Sequence, residues 1–366
     1  MEERRVRICD IAEELGLSTA TVSNVLHGKT KKISDETVRR VQALLEERQY
    51  IPSMAGILLA QNSSRIIGVV INDHEKYENH TLEDVFIAAS LNHLSTEIEK
   101  NGQFMMVKKT RDVETIIRFA SMWNLDGFVL IGFCNQDYAY LRSHMRIPFV
   151  VYDGYMNGAD GGCGVNASRM VEWDSSERKS DSEKRSYLGL RNEERIYNIT
   201  IDNYDGGYQV GTYFRECGHK KVLCIADNDI CGDRERYEGV RAGFENADFL
   251  QIPMTKEQRW DFYRDNLPRL KSYTAIFAVS DYYAIDLIHF LNSQGISVPD
   301  EIAVAGFDDI PMCELVTPTL TSVHQDVALR AEIAIQKLKE LREKKETEFT
   351  IRLPVQLVVR ESTKKS

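Results

Sequence analysis

Apolar residues at positions 8, 11, 12 and 15 recur at helical spacing and stop at Gly16, so a short amphipathic helix is expected there. Ser18 is placed to cap a second helix, Thr19–Leu26, which His27-Gly28 ends. Ser34 caps a third, with Asp35 and Glu36 in the first turn, where the helix dipole favours negative charge. Val38, Val41, Leu44 and Leu45 form its apolar stripe, and Pro52 closes the unit. From Arg65 the pattern changes to short apolar runs alternating with helical stretches. Strands are expected at 66–71, 104–108, 127–131, 148–152, 197–201, 222–226, 275–279 and 302–305. Helices are expected near 82–100, 113–123, 137–145, 206–217, 234–246, 281–294 and 327–344. Such alternation implies parallel sheets covered on both faces, here as two doubly wound halves. Ligands of such folds bind beyond the carboxyl ends of the strands, which between two halves means a cleft.

Two stretches depart from this pattern. Residues 53–60 are apolar but carry Gly56, which disfavours a stable isolated helix. Residues 156–195 begin glycine-rich and continue through Ser175–Ser186 with no apolar residue, so an insertion that cannot offset its ordering entropy is expected.

A length of 366 residues suggests two or three domains, and 43% apolar with 28% charged residues is an ordinary globular balance. No apolar run approaches the roughly 18 residues that span a bilayer, and no signal region follows Met1, so a cytoplasmic location without membrane contact is expected. The seven cysteines include no Cys-x-x-Cys pair, and neither a disulfide framework nor a metal site is expected. Net charge is −10, yet residues 1–65 carry +1 and the rest −11. An acidic body with a locally basic head fits a chain that touches an anion only at its head.

The spacing within 8–27 is that of a helix-turn-helix. Ala12 lies where the helices cross, Gly16 makes the turn, and Val22 packs back between them. Thr19, Ala20, Thr21, Ser23, Asn24 and His27 then face outward from the second helix, whose free backbone N–H groups suit phosphate. Here the sequence resembles the lac-repressor/Gal-repressor family of bacterial regulators. The resemblance rests on residues 8–26 and on Ile33-Ser-Asp-Glu-Thr-Val-Arg-Arg-Val, Tyr50-Ile-Pro and Ile67-Gly-Val-Val. It resumes at Cys217-Gly-His-Lys-Lys-Val, Arg236-Tyr-Glu-Gly, Gly306-Phe-Asp-Asp and Thr317-Pro-Thr-Leu-Thr-Ser-Val-His-Gln-Asp. It covers nearly the whole chain except 156–195.

The resemblance implies an α/β chain with a three-helix helix-turn-helix head at 1–52, a hinge at 53–64 and a two-lobed, periplasmic-binding-protein-like body at 65–366. The first lobe would comprise about 65–153 and 311–344, the second about 196–310 and 345–362. The second head helix would enter the major groove, and a homodimer would read a near-palindromic double-stranded operator. Thr19, Ala20 and Asn24 match the base-reading positions: Ala20 suits a thymine methyl and Asn24 suits adenine. Relatives often carry Arg at the Asn24 position, so their guanine preference does not carry over. Ser18, Thr21, Ser23 and Lys29 are expected at phosphates. Leu59 matches the hinge leucine that wedges into the minor groove. Gly56-Ile-Leu-Leu replaces the Ala-Arg-x-Leu common in relatives, which implies a hinge that folds only on DNA, with weaker affinity.

For the body, the resemblance implies a small sugar-like effector lined by Asn72, Asp153, Arg236, Ser280, Asp308 and Gln325. Each falls at or just past a strand's carboxyl end, and an Arg fork with carboxylate acceptors is chemistry that grips hydroxyls. Asp281 reads instead as the N-cap of the helix it opens. Tyr77, Tyr155, Trp173, Trp260 and Tyr282 are candidates to stack on a sugar face. The helix near 82–98 and parts of the second lobe are expected to supply the dimer surface. No cofactor is expected. No Gly-x-Ser-x-Gly, His-Glu-x-x-His or phosphate loop appears, so an enzyme is not expected. Two alternatives share the fold: a regulator answering to a protein corepressor, and a sugar receptor without DNA function.

Overall fold

The computed structural model describes residues 6–50, 63–133, 135–153, 197–344 and 350–364. Leu59 with the rest of 53–60, Tyr155, Trp173 and the 156–195 insertion lie outside the described residues. The chain divides into two units, residues 1–64 and 65–366.

Among the described residues the head holds three helices, α1 (Ile8–Leu15), α2 (Thr19–Leu26) and α3 (Asp35–Glu47). Gly16 ends α1 in the left-handed region at φ 65°, and its N–H reaches back to the carbonyls of Ala12 and Glu13. The free choice of positive φ at glycine is what lets the chain reverse there. Ser18 and Ser34 cap α2 and α3 by accepting from the backbone N–H of Thr21 and Thr37. Ile11, Ala12, Val22, Val25, Val41 and Leu44 form the buried core, with Ile8, Leu15, Leu17, Val38, Leu45 and Tyr50 packed around it.

Among the described residues the body contains two six-stranded sheets. The first holds β1 (Ile66–Asn72), β2 (Phe104–Thr110), β3 (Gly127–Ile131), β4 (Phe149–Tyr152), β5 (Tyr197–Ile201) and β11 (Thr350–Leu353), in the order β11-β5-β4-β3-β1-β2. The second holds β6 (Val222–Ala226), β7 (Ala247–Gln251), β8 (Ala275–Ala278), β9 (Ala303–Asp308), β10 (Thr321–Gln325) and β12 (Val355–Val358), in the order β12-β10-β9-β8-β6-β7. All pairings are parallel except β10 with β12. Strands β1, β3, β4, β6 and β8 are buried along their whole length, as strands covered on both faces must be. No helix among the described residues is long and apolar enough to cross a membrane.

Helices α4 (Val85–Lys100), α5 (Val113–Met122), α6 (Asn135–His144) and α12 (Val327–Arg342) accompany the first sheet. Helices α7 (Asn203–Glu216), α8 (Cys231–Gly243), α9 (Lys256–Asp265), α10 (Leu267–Leu270) and α11 (Asp281–Ser293) accompany the second. The lobe boundaries expected from sequence need correction. Strand 197–201 pairs with β4 and so extends the first sheet, and 350–353 joins beside it. Strand 321–325 pairs with β9 and β12 and so belongs to the second. The chain therefore crosses between lobes after β5, after β10 and between β11 and β12. Asp202 and Asp326 stand at the first two crossings, each capping the helix that follows by accepting a backbone N–H, from Asp205 and Leu329.

Helices α7 and α8 meet backbone to backbone. Gly207 and Gly211 on α7 face Gly239 and Gly243 on α8, each pair at a spacing of four. A methyl added at Gly207 would overlap the Arg236 carbonyl oxygen, and one at Gly239 the Tyr204 carbonyl oxygen. Only glycine allows this approach, and it fixes where α8 presents Arg236.

Candidate functional site

In the head, the outer face of α2 carries the expected residues. Thr19, Ala20 and Asn24 are exposed, while Val22 and Val25 are buried on the opposite face. Lys29 is exposed beyond the helix end, and Thr21, Ser23 and His27 are half-buried. The Ser18 hydroxyl lies 2.9 Å from that of Thr21 while accepting the Thr21 N–H at 3.1 Å. Both side chains are thus engaged in the cap, which stiffens the amino end of α2 and leaves its first N–H groups facing outward.

In the body, the carboxyl ends of the strands bring most of the expected effector residues together. Arg236, on α8, donates from Nε to Asn203 Oδ1 at 2.9 Å and from a terminal nitrogen to the Val279 carbonyl. Its guanidinium lies 3.7 Å from the centre of the Phe307 ring. Ser280 follows Val279 directly and caps α11, accepting the Tyr283 N–H at 3.4 Å. Asp281, expected as that cap, is instead the first residue of the helix. The cap fell one residue earlier because Ser280 has the extended backbone that a cap requires. The Asp281 carboxylate turns inward and accepts from the Ser322 hydroxyl at 2.5 Å, the Ile310 N–H at 2.9 Å and the Cys313 thiol at 3.2 Å.

Asp308 ends β9 with φ 111°. It accepts from Gln325 Nε2 at 2.6 Å. Burial pushes the carboxyl up to about 8, against the pull of the Arg236 charge. In the first lobe, Asp153 follows β4 with φ 53° and is bound by Arg330 at 2.7 Å. Asn72 ends β1 and donates to the Gly132 carbonyl at 2.8 Å, and its Oδ1 has no partner among the described residues.

Arg330 is one residue that sequence reasoning missed. It sits in the first turn of α12, fully buried beside the apolar stripe of Ala331, Ala334, Ile335 and Leu338. A charge at the margin of an apolar helical face was the available signal. Asp227 and Asp233 were missed too. Asp227 directly follows β6, and Asp233 lies in the first turn of α8, with Asn228 donating to both at 3.0 and 2.7 Å. Burial raises the Asp233 carboxyl to about 6, with Arg236 opposing. Of the aromatic candidates, Trp260 belongs to the core of the second lobe, where its Nε1 donates to Asp286 at 2.8 Å and its ring meets His289 and Phe290 edge-on. Tyr77 is half-buried and Tyr282 exposed. Among the described residues, no group of three or more His, Cys, Asp or Glu could hold a metal ion.

The raised carboxyls set a pH dependence. Folded Asp308 keeps its proton to about 8, whereas an unfolded aspartate loses it near 4. Its contribution is complete below the unfolded value and is lost as pH rises through the folded one. The body is therefore expected to lose stability as pH rises from about 5 to about 8, measured as the urea midpoint. In Asp308→Asn the decline above about pH 6 should flatten, while the decline below it persists through Asp233 and Asp281, both raised to about 6.

Residues 7–53 match the family model of bacterial regulatory proteins, lacI family, and residues 212–363 match that of the periplasmic binding protein-like domain. The chain is 26% identical over 356 residues to the HTH-type transcriptional repressor PurR of Haemophilus influenzae, covering 91% of this chain and 90% of that one. The corresponding PurR of Actinobacillus pleuropneumoniae is also 26% identical, over 384 residues and 98% of each chain. Among solved structures, the lac repressor dimer bound to operator and the anti-inducer ONPF superposes with a TM-score of 0.76 at 19% identity, covering 98% and 99% of the two chains. A complex of the transcriptional regulator CelR with cellobiose gives 0.63 at 22% identity, over 98% and 100%. A regulator from Enterococcus faecium with bound ribose gives 0.63 at 18%, over 81% and 98%.

Proposed function

This chain belongs to the lacI family of bacterial regulatory proteins and is a DNA-binding transcriptional regulator, and we propose that it is a cytoplasmic repressor of carbohydrate-use genes. In this reading a homodimer sets two heads on a near-palindromic operator, and a small sugar between the lobes controls the fit. The observation that carries it is the pairing of two groups in one chain: an exposed Thr19-Ala20-Asn24 face on a capped helix, and Asn72, Asp153, Asp308 and Gln325 at strand ends with Arg236 on α8. Thr19, Ala20 and Asn24 reach base edges, while Ser18, Thr21, Ser23, His27 and Lys29 face phosphates and Leu59 acts from the hinge. Asn72, Asp153, Arg236, Ser280, Asp308 and Gln325 hold the effector. Solved relatives with cellobiose and with ribose support a sugar. The exposed apolar side chains Leu82, Val85, Tyr282, Met312 and Leu315 offer surface for a second copy. They replace the broader face expected along 82–98, because Ile87, Leu94 and Ile98 are buried in their own lobe.

The effector acts by preferring one arrangement of the lobes, which shifts the population of operator-competent dimers. Selection of double-stranded DNA from a random pool, with and without ribose, cellobiose and xylulose, tests the reading. The expected product is a palindromic consensus whose yield changes with one of the sugars and no added protein. Asn24→Ala should relax discrimination at one base pair per half-site by about 1–3 kcal/mol, roughly five- to 150-fold. A pool that enriches no sequence at low salt would overturn the proposal, and a requirement for added protein would favour a protein corepressor.

A further inference from the structure

Arg330 joins groups that belong to different lobes. One of its terminal nitrogens binds Asp153 at 2.7 Å, just past β4, and the Ile199 carbonyl at 2.8 Å, midway along β5, both in the first lobe. The other donates to Gln325 Oε1 at 3.5 Å, at the carboxyl end of β10 in the second sheet. Gln325 passes the connection on, since its amide nitrogen donates to Asp308 at 2.6 Å. Asp153 and Asp308, the acceptor of each lobe, are thereby tied into one line: Asp153, Arg330, Gln325, Asp308. The line runs beside the second crossing, where Asp326 separates β10 from α12. Its outer links lie within one lobe each. Only the link between Gln325 and Arg330 spans the crossing, and it is the longest of them.

The surroundings of Arg330 show a charge held for a purpose other than packing. Its guanidinium lies 4.3 Å from the centre of the Tyr152 ring. Its Nε and the Tyr152 hydroxyl are both buried without a partner among the described residues. Burying a guanidinium with unmet donors costs stability that an apolar side chain at the same place would not lose. A leucine or methionine beside Ala331 and Ala334 would extend the stripe of α12. What the arginine adds is reach to both lobes.

We propose that Arg330 is a positioning residue that holds the effector acceptors of the two lobes in register across the crossing between β10 and α12. It orients Asp153 directly and Asp308 through Gln325, and it limits how far the lobes turn about that crossing. The proposal rests on the cleft being the effector site, but its test needs no effector. Spin labels on unnatural side chains at Arg118 in the first lobe and Asp261 in the second, both exposed, report the interlobe distance in the full-length chain. The unsubstituted protein should give one narrow distance population, and Arg330→Gln one roughly twofold wider together with a lower Tm. The double variant Asp153→Asn with Arg330→Gln removes the stranded carboxylate charge. It should recover most of the Tm while the distribution stays wide, because the glutamine cannot reach both lobes. A narrow distribution in either variant, or a wide one in the unsubstituted protein, overturns the proposal and leaves Arg330 as a counter-charge for Asp153. Should the double variant not fold, Arg330→Lys keeps the charge without the fork, and a narrow distribution there is equally fatal. Were the cleft to bind no small molecule, these distances would still separate the variants, so the two readings fail separately.

Discussion

Gly207→Ala is expected to destabilise the second lobe by about 3 kcal/mol or more, an effect usually reserved for far larger changes in a core. The added methyl would overlap the Arg236 carbonyl oxygen, which is backbone and cannot rotate away. Either α7 or α8 must move, and Gly211, Gly239 and Gly243 leave no slack along the contact. Moving α8 carries Arg236 away from Asn203 and Val279, so, with the effector role proposed for Arg236, loss of effector response should accompany loss of stability. Because the first carbon is the obstacle, Gly207→Val should be little worse than Gly207→Ala. Urea midpoints measure the first effect, and effector-dependent operator affinity measures the second. An alanine variant within about 0.5 kcal/mol of the parent would show that the helices can part, against the contact described.

The second large effect is expected at Arg259. This residue is fully buried and binds Asp286 at 2.9 Å, with side-chain exposures of 0% and 5%. Arg259→Met would leave the carboxylate of Asp286 with the Trp260 N–H as its remaining side-chain donor among these three, at an expected cost of about 3–5 kcal/mol. Replacing both partners, as Arg259→Met with Asp286→Leu, should return most of that loss, because an apolar pair of similar volume avoids the desolvation penalty. Trp260→Phe removes one hydrogen bond and should cost nearer about 1–3 kcal/mol. Denaturant unfolding of the parent, Arg259→Met, Asp286→Leu and the double variant gives the coupling directly. If the double variant proves no more stable than the single one, the stranded charge is not the cause.

The head was fully legible because every signal in it is local. Gly16, Ser18 and Ser34 mark its turns and caps, and the spacing of Ala12, Gly16 and Val22 states how its helices cross. In the body, the alternation of strand and helix was equally readable for fully buried runs such as 66–71 and 222–226. It failed where burial is one-sided. Strand β7 reads Ala-Asp-Phe-Leu-Gln, with only Ala247 and Leu250 buried, and α9 shows no aliphatic stripe because its fully inward residues are Arg259 and Tyr263. The lobe assignment of 197–201, 321–325 and 350–353 was not legible, since a strand's own residues do not name its neighbour. The rule that placed Asp153 and Asp308 also points at Asp227, which follows β6 in the same way. Arg330 and Arg259 were overlooked for a common reason. A long cation normally lies at the surface, and only tertiary partners reveal that these two are enclosed.

The three crossings also bear on how the molecule is made. β11 and β12 are the last strands in chain order, and they form one edge of each sheet, separated by Pro354 alone. The first lobe is not complete until residue 353 has left the ribosome and the second not until residue 358, whereas the core of the head needs nothing beyond residue 50. At the usual pace of about 5–20 residues per second, the two events fall many seconds apart. A nascent chain thus carries a finished reading head ahead of a body that cannot yet answer to any signal.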